Sequence, residues 1–266
     1  QALSPTPEYA QEVIAPPYDV LNVEEAKSLA KNKPHSFLRI SRAELELDNR
    51  QDPYSSAVYQ RAASNLSALR DKGILIQDSV PSYYIYRISN DGHMQTGIAV
   101  AASIDAYKAN KIKKHELTRT SKEKDRINQI STTLAQSGPV MLVNRHIPEL
   151  SSLLSDIAKE KKPTLEAEID GWSHQIWPVS DHPTLEKCSD LINSLDSLYI
   201  ADGHHRSAAA RYVYESQAGT SGGFLAVVFD EKELKILDYN RVVRDLNNLK
   251  PEDFLTQISK CFKVEK

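Results

Sequence analysis

The chain has 266 residues, 40% of them apolar and 26% charged, with a net charge of −3. That size suits one large domain or two small ones, and the mild negative charge argues against a nucleic-acid-binding surface. No apolar run approaches the ~20 residues of a membrane span, so no membrane partner is expected.

Cys188 and Cys261 stand apart, with no CxxC unit, which fits a reducing cytoplasm and argues against a zinc knuckle. The first residue is Gln1 rather than Met, so the natural start is expected upstream, and no secretory signal is read. Residues 1–18 are proline-rich and read as extended, with Pro16-Pro17 leading into Tyr18 and Asp19. Asn22 to Lys31 reads as a helix, capped by Asn22 with Glu24 and Glu25 in its first turn. Ser36 to Ile40 reads as a short strand. A helix is expected from Asp52-Pro53 to about Lys72, with Ala57, Ala62, Leu66 and Leu69 near helical spacing and Gly73 at its end.

Tyr83 to Ile88 and Thr96 to Ile104, joined by Asn90-Asp91-Gly92, give the clearest hairpin signal. Ser121 to Gln136 reads as a helix stopped by Ser137-Gly138-Pro139, and Val140 to Val143 as a buried strand. Ile147 to Lys161 and His182 to Leu195 read as amphipathic helices, with a strand at Gln175 to Val179 between them. Ser207 to Ser216 is helical, and Gly219 to Gly223 reads as a mobile loop. Phe224 to Phe229 is apolar throughout and reads as a central strand, with Lys235 to Asp238 expected to pair with it. Pro251 to Cys261 is a last helix with Pro251 at its first position. The elements interleave without strict βαβ order. The expected fold is therefore α/β or α+β, with a mixed sheet and flanking helices. One unit over 1–266 is expected, or two lobes with a boundary near 145–180.

The densest chemistry lies at Ser197-Leu-Tyr-Ile-Ala-Asp202-Gly203-His204-His205-Arg206-Ser-Ala-Ala-Ala210. An apolar strand feeds an alanine-rich helix through one glycine. Such a helix start offers free N–H groups and the positive end of the dipole to an anion. Arg206 adds a planar fork suited to phosphate or carboxylate, and Asp202 adds a hard oxygen. Asp202 is equally suited to capping the helix. A succession of Asp, Gly, His, His and Arg has no packing rationale.

A second block runs Lys113-Lys114-His115-Glu116-Leu-Thr-Arg119, followed by Lys122-Glu-Lys-Asp125-Arg126. A solvated charge run is the plain reading. Yet Glu116 beside His115 in a cationic cluster would stay ionised and serve as a base or magnesium ligand. If the segment is helical, Glu116, Arg119 and Glu123 share a face. Lysine, arginine and carboxylate together are what phosphoryl transfer needs. Weaker candidates are Tyr18 and Asp19, and Asn240 and Arg241 in Tyr239-Asn-Arg-Val-Val243.

APPYDVL at Ala15 to Leu21, IKKHELTR at Ile112 to Arg119, KEKDR at Lys122 to Arg126, SGPV at Ser137 to Val140, LYIADGHHRSAAA at Leu198 to Ala210 and YNRVV at Tyr239 to Val243 together resemble the domain of unknown function 1015 family. That resemblance covers almost the whole chain and implies that a C-terminal part of the family lies beyond Lys266. The DGHHR block is also similar to the nucleotide-binding turn of the ParB/sulfiredoxin superfamily, and most to its archaeal free-serine kinases. This implies a ParB/sulfiredoxin-like core binding ADP or ATP with Mg2+. Asp202, Gly203, His204, His205 and Arg206 would hold phosphates and metal, and a small-molecule acceptor such as L-serine would be phosphorylated.

Physical reasoning adds Lys113, Lys114 and Arg119 as phosphate-binding cations and Glu116 as base and second metal ligand. It also adds His115, His204 and His205 as catalytic candidates. The other readings are a nucleotide-binding regulatory module without transfer, and a phosphoester hydrolase using His204.

Overall fold

The computed structural model describes residues 2–48, 52–217, 222–238 and 240–265. Ten strands are present among them: β1 Leu3–Pro5, β2 Leu75–Gln77, β3 Tyr83–Asn90, β4 His93–Ser103, β5 Ile112–Lys113, β6 Val140–Asn144, β7 Leu165–Ile169, β8 Trp172–Val179, β9 Leu198–Asp202 and β10 Gly223–Asp230. The α-helices are α1 Ala10–Val13, α2 Val23–Ala30, α3 Leu38–Ser41, α4 Ser56–Asp71, α5 Ile104–Lys108, α6 Thr120–Thr133, α7 Pro148–Glu160, α8 His182–Asn193, α9 His204–Ser216 and α10 Pro251–Ile258. Among the described residues no helix is long and apolar enough to cross a membrane.

The chain divides into two compact units, Gln1–Leu234 and Lys235–Lys266. Residues 145–180 fall inside the first unit. In the second, α10 has Pro251 in its first turn, and Leu255 and Phe262 are exposed.

In the first unit, β1 and β2 form a two-stranded antiparallel sheet, and eight strands form a mixed sheet in the order β5-β9-β6-β10-β4-β3-β8-β7. The β5–β9 and β6–β10 pairs are parallel and the other five antiparallel. The expected mixed sheet with flanking helices is therefore present. The apolar run of β10 places it inside the sheet, between β4 and β6, with Phe224, Ala226 and Val228 in the main core. Phe224 and Val228 each contribute roughly 1.5–3 kcal/mol through burial, and the Ala226 methyl less. Leu150 and Leu154 of α7 and Cys188 of α8 close that core. Burial pushes the Cys188 thiol up to about 11, so it is a packing residue rather than a nucleophile. A second core joins Leu66 and Leu69 of α4 to Val13, Ile40 and Leu75.

Local sequence explains most elements. Asn22 caps α2 and Glu25 returns the bond to the Asn22 N–H, a reciprocal capping box. Five local readings are corrected. Residues 7–13 are not extended: Pro7–Tyr9 form a 3-10 turn that runs into α1. Residues 36–40 do not form a strand; Ile40 N–H bonds to Phe37 O and Arg42 N–H to Leu38 O, winding the short α3. Periodicity cannot separate these states in so short an apolar run. The helix expected from Asp52 starts at Ser56. Lys235 to Asp238 is not a strand. Residues 114–119 are not helical, so Glu116 shares no helical face with Glu123. Strand β7 and its hairpin to β8 were not foreseen, although Asp170 and Gly171 both take positive φ, as a two-residue hairpin turn requires.

Candidate functional site

The site begins where β9 becomes α9. Asp202 pairs with Met141 and Ile200 with Leu142, so Ala201 is the extra residue of a bulge just before the turn. Such bulges bend a strand and re-aim its end. Gly203 follows with φ 98° and ψ 27°, as the N-cap of α9. A Cβ there would lie 3.2 Å from the Val140 Cα and from the Arg206 Cζ. Glycine is therefore demanded by both conformation and space. It supplies no side-chain acceptor, so the first turn of a 13-residue helix has no side-chain cap. Arg206 folds back over the glycine, donating to the Pro139 carbonyl and pairing with Asp202. Asp202 is exposed, whereas the arginine is largely covered.

The 114–119 loop lies across this helix start. His204 is only 4% exposed, and its Nε2 accepts the His115 backbone N–H at 3.4 Å. Its Nδ1 stands 3.6 Å from Glu116 Oε2, and the His115 ring meets it edge-on with centroids 4.4 Å apart. His205 Nε2 accepts the Arg119 N–H at 3.0 Å. Both imidazoles thus use one nitrogen to hold the loop, which places the proton of a neutral ring on Nδ1. Burial holds His204 below the ordinary histidine value, and His115 adds to this, while Glu116 and Asp202 oppose it. The two motifs noted in the sequence therefore meet in space. Lys113 lies on β5 opposite Tyr199, and the Lys114 ammonium sits over the Tyr107 ring at 4.4 Å.

A second layer lies beside Arg206. The Arg126 guanidinium stacks on the Tyr18 ring at 3.8 Å and donates to Asp125 Oδ2 through Nη2 at 2.6 Å and Nε at 3.0 Å. Tyr59 donates its hydroxyl to Asp125 Oδ1 at 2.9 Å. Burial pushes the Tyr18 phenol up, while Arg126 and, less strongly, Arg206 pull it down, so both cations act on one ring. One cavity is lined by Arg126, Gln129, Ser137, Gly138 and Arg206. A larger one, about 920 Å³ including its open mouth, is lined by Tyr18, Asp19, Tyr59, Lys122 and Arg126, among others. Arg126 and Tyr59 were missed as functional residues. Asp125-Arg126 in the sequence looked like more of a charge run, and only the long-range contact with Tyr18 distinguishes it.

Among the described residues no group of three His, Cys, Asp or Glu side chains is placed to hold a metal. Asp202 engages Arg206, and Glu116 faces His204. Magnesium bound mainly by phosphates and water needs only one or two carboxylates, and either residue fits that requirement. A further polar cluster joins Asp230 to His146, Ile147 N–H, Ser151 and Lys232 N–H. Burial alone would raise the Asp230 carboxyl; these hydrogen bonds outweigh it and hold it below the usual range. Serine and histidine both address the carboxylate, so this is a cap on the start of α7 rather than a nucleophile relay. Asn240 and Arg241 fall in the second unit, and Tyr239 and residues 218–221 lie outside the described residues.

The family model described as "Protein of unknown function (DUF1015)" matches residues 1–266. The chain belongs to that family. Nothing matches among curated proteins or among solved structures.

Proposed function

We propose that this protein is a nucleotide-dependent phosphotransferase acting on a small hydroxyl-bearing acceptor, with free L-serine the first to test. The observation that carries this reading is the uncapped start of α9, with Arg206 folded over Gly203 and the Glu116 loop tied across it. Phosphate oxygens of ADP or ATP would sit on the first-turn N–H groups and the Arg206 fork, where dipole and guanidinium both favour them. Binding them requires Asp202 to release Arg206, since the carboxylate now neutralises that fork.

Asp202 or Glu116 would hold Mg2+ beside the phosphates, and the ion would supply charge neutralisation there. The acceptor hydroxyl oxygen bonds to phosphorus as the bond to the bridging oxygen breaks. The nucleotide leaves one phosphate shorter, and the hydroxyl proton passes to Glu116. His204 and His205 hold the loop that carries this carboxylate. This makes them positioning residues. The ParB/sulfiredoxin-like nature of the core and a cytoplasmic setting belong to the same proposal.

The test is a thermal-shift and calorimetric screen with magnesium and ADP, ATP or CTP, each with and without L-serine. A ligand that binds only the folded state raises the melting temperature. A shift with one nucleotide that disappears in Arg206→Ala supports the site and identifies the donor. Glu116→Gln should then abolish phosphoserine formation while nucleotide affinity is kept. Equal loss of binding and turnover would remove Glu116 as base. Absence of any nucleotide shift counts against the whole reading.

A further inference from the structure

The two cavities around Arg126 share two lining residues, Arg126 and Gln129. One cavity reaches Arg206, the phosphate end of the proposed site; the other reaches Tyr18 and Asp19. Arg126 is therefore common to both spaces. It is 7% exposed, fixed by the Tyr18 ring on one face and Asp125 along one edge. Its remaining nitrogen, Nη1, has no protein partner among the described residues. A rigid guanidinium with one open edge suits a carboxylate or phosphate oxygen.

The charges of the larger cavity sort themselves. Arg42 pairs with Glu44 at 2.5 Å and Arg126 with Asp125 at 2.6 Å. That leaves the Asp19 carboxylate and the Lys122 ammonium, neither with an ion pair or side-chain hydrogen bond among the described residues. The Ser41 hydroxyl also lines the space, buried and without a partner. An uncompensated buried hydroxyl is costly unless something bonds it. Among the described residues the cavity thus presents an unpaired carboxylate, an unpaired ammonium with an arginine edge beside it, and an orphan hydroxyl.

We infer that this cavity is the acceptor pocket and that it selects a small zwitterion, a molecule carrying an ammonium and a carboxylate together. The ammonium meets Asp19. The carboxylate meets Lys122 and the open edge of Arg126. The rest of the ligand extends past Gln129 toward Arg206. This rests on the phosphotransferase reading for its place in a reaction, but binding can be measured without turnover.

Calorimetry on the 266-residue chain with saturating magnesium and ADP, then ATP, compares three probes. L-serine carries both charges, glycolate lacks the ammonium, and ethanolamine lacks the carboxylate. L-serine is expected to bind at least tenfold more tightly than either relative. Asp19→Asn and Lys122→Gln, both at exposed positions where folding is not at risk, should each weaken L-serine at least tenfold while nucleotide affinity stays unchanged. Equal binding of the three probes, no binding of any, or indifference of L-serine to both substitutions overturns the pocket. Nucleotide binding that depends on Arg206 alongside such indifference leaves the phosphate site standing. Loss of L-serine binding in both variants with no nucleotide binding at all leaves the pocket and removes the transferase.

Discussion

His205 Nε2 accepts the Arg119 N–H at 3.0 Å, across 86 positions of chain. This bond holds the end of the loop where α6 begins, so it orders the backbone that carries Glu116. His205→Ala should cost about 1 kcal/mol, the net value of an ordinary hydrogen bond. Its larger effect should be local. Amide exchange at 115–119 should accelerate while strands β4, β6 and β10 stay protected. Hydrogen–deuterium exchange read by mass spectrometry resolves the two. Unchanged exchange in the loop would show that His205 does not hold it.

His204 gives a pH dependence. Its Nε2 must be unprotonated to accept the His115 N–H, and burial holds the ring below the ordinary value of 6.5. The folded state therefore binds fewer protons than the unfolded one in the window just below 6.5. Stability is fully present above that value and is lost as pH falls through the folded-state value. Urea unfolding at about pH 7.5 and about pH 5.5, on either side of the ordinary histidine value, should show a drop in stability that His204→Gln reduces. A drop of equal size in His204→Gln would assign the effect elsewhere.

Gly203→Ala tests the turn. The residue sits at φ 98°, and the new Cβ would press on the Val140 Cα and the Arg206 guanidinium at 3.2 Å. Left-handed backbone alone costs a non-glycine residue roughly 1–2 kcal/mol. The Val140 contact is with backbone and gives way little; the Arg206 contact is with a side chain that can move. A lower unfolding midpoint in denaturant, with nucleotide affinity reduced as well, is expected. Wild-type stability and affinity would mean the turn relaxes freely.

The sequence made much of this legible because the signals were local. The Asn22 capping box, the hairpin turning at Asp91-Gly92, the apolar run at Phe224 to Phe229 and the glycine before His204 all act within a few residues. What stayed hidden depends on long-range contacts. Nothing near Arg126 in the chain announces that it stacks on Tyr18, and nothing near His205 announces Arg119 as its partner. The charge run around Lys114 read as a set of phosphate-binding cations, yet that ammonium lies over Tyr107. The Asp170-Gly171 turn was local and readable, and was overlooked beside the stronger strand after it.

The Asp125–Arg126 pair decides whether the second layer is structural support or a solvated charge run. Arg126 is buried, and both oxygens of Asp125 are engaged, one by the guanidinium and one by Tyr59. Asp125→Ala strands the guanidinium and should destabilise the fold by about 3–5 kcal/mol, the usual result of breaking one side of a buried pair. Tyr59→Phe removes a single hydrogen bond and should cost about 1 kcal/mol. Adding Arg126→Met to Asp125→Ala removes the stranded charge and should restore part of the loss, because no unpaired ion is then left buried. Urea titrations at constant m-value give all three differences. A cost below 1 kcal/mol for Asp125→Ala would place the pair with exposed ion pairs, whose usual worth is about 0–1 kcal/mol. Arg126 would then lack the fixed geometry that a binding edge between two cavities needs.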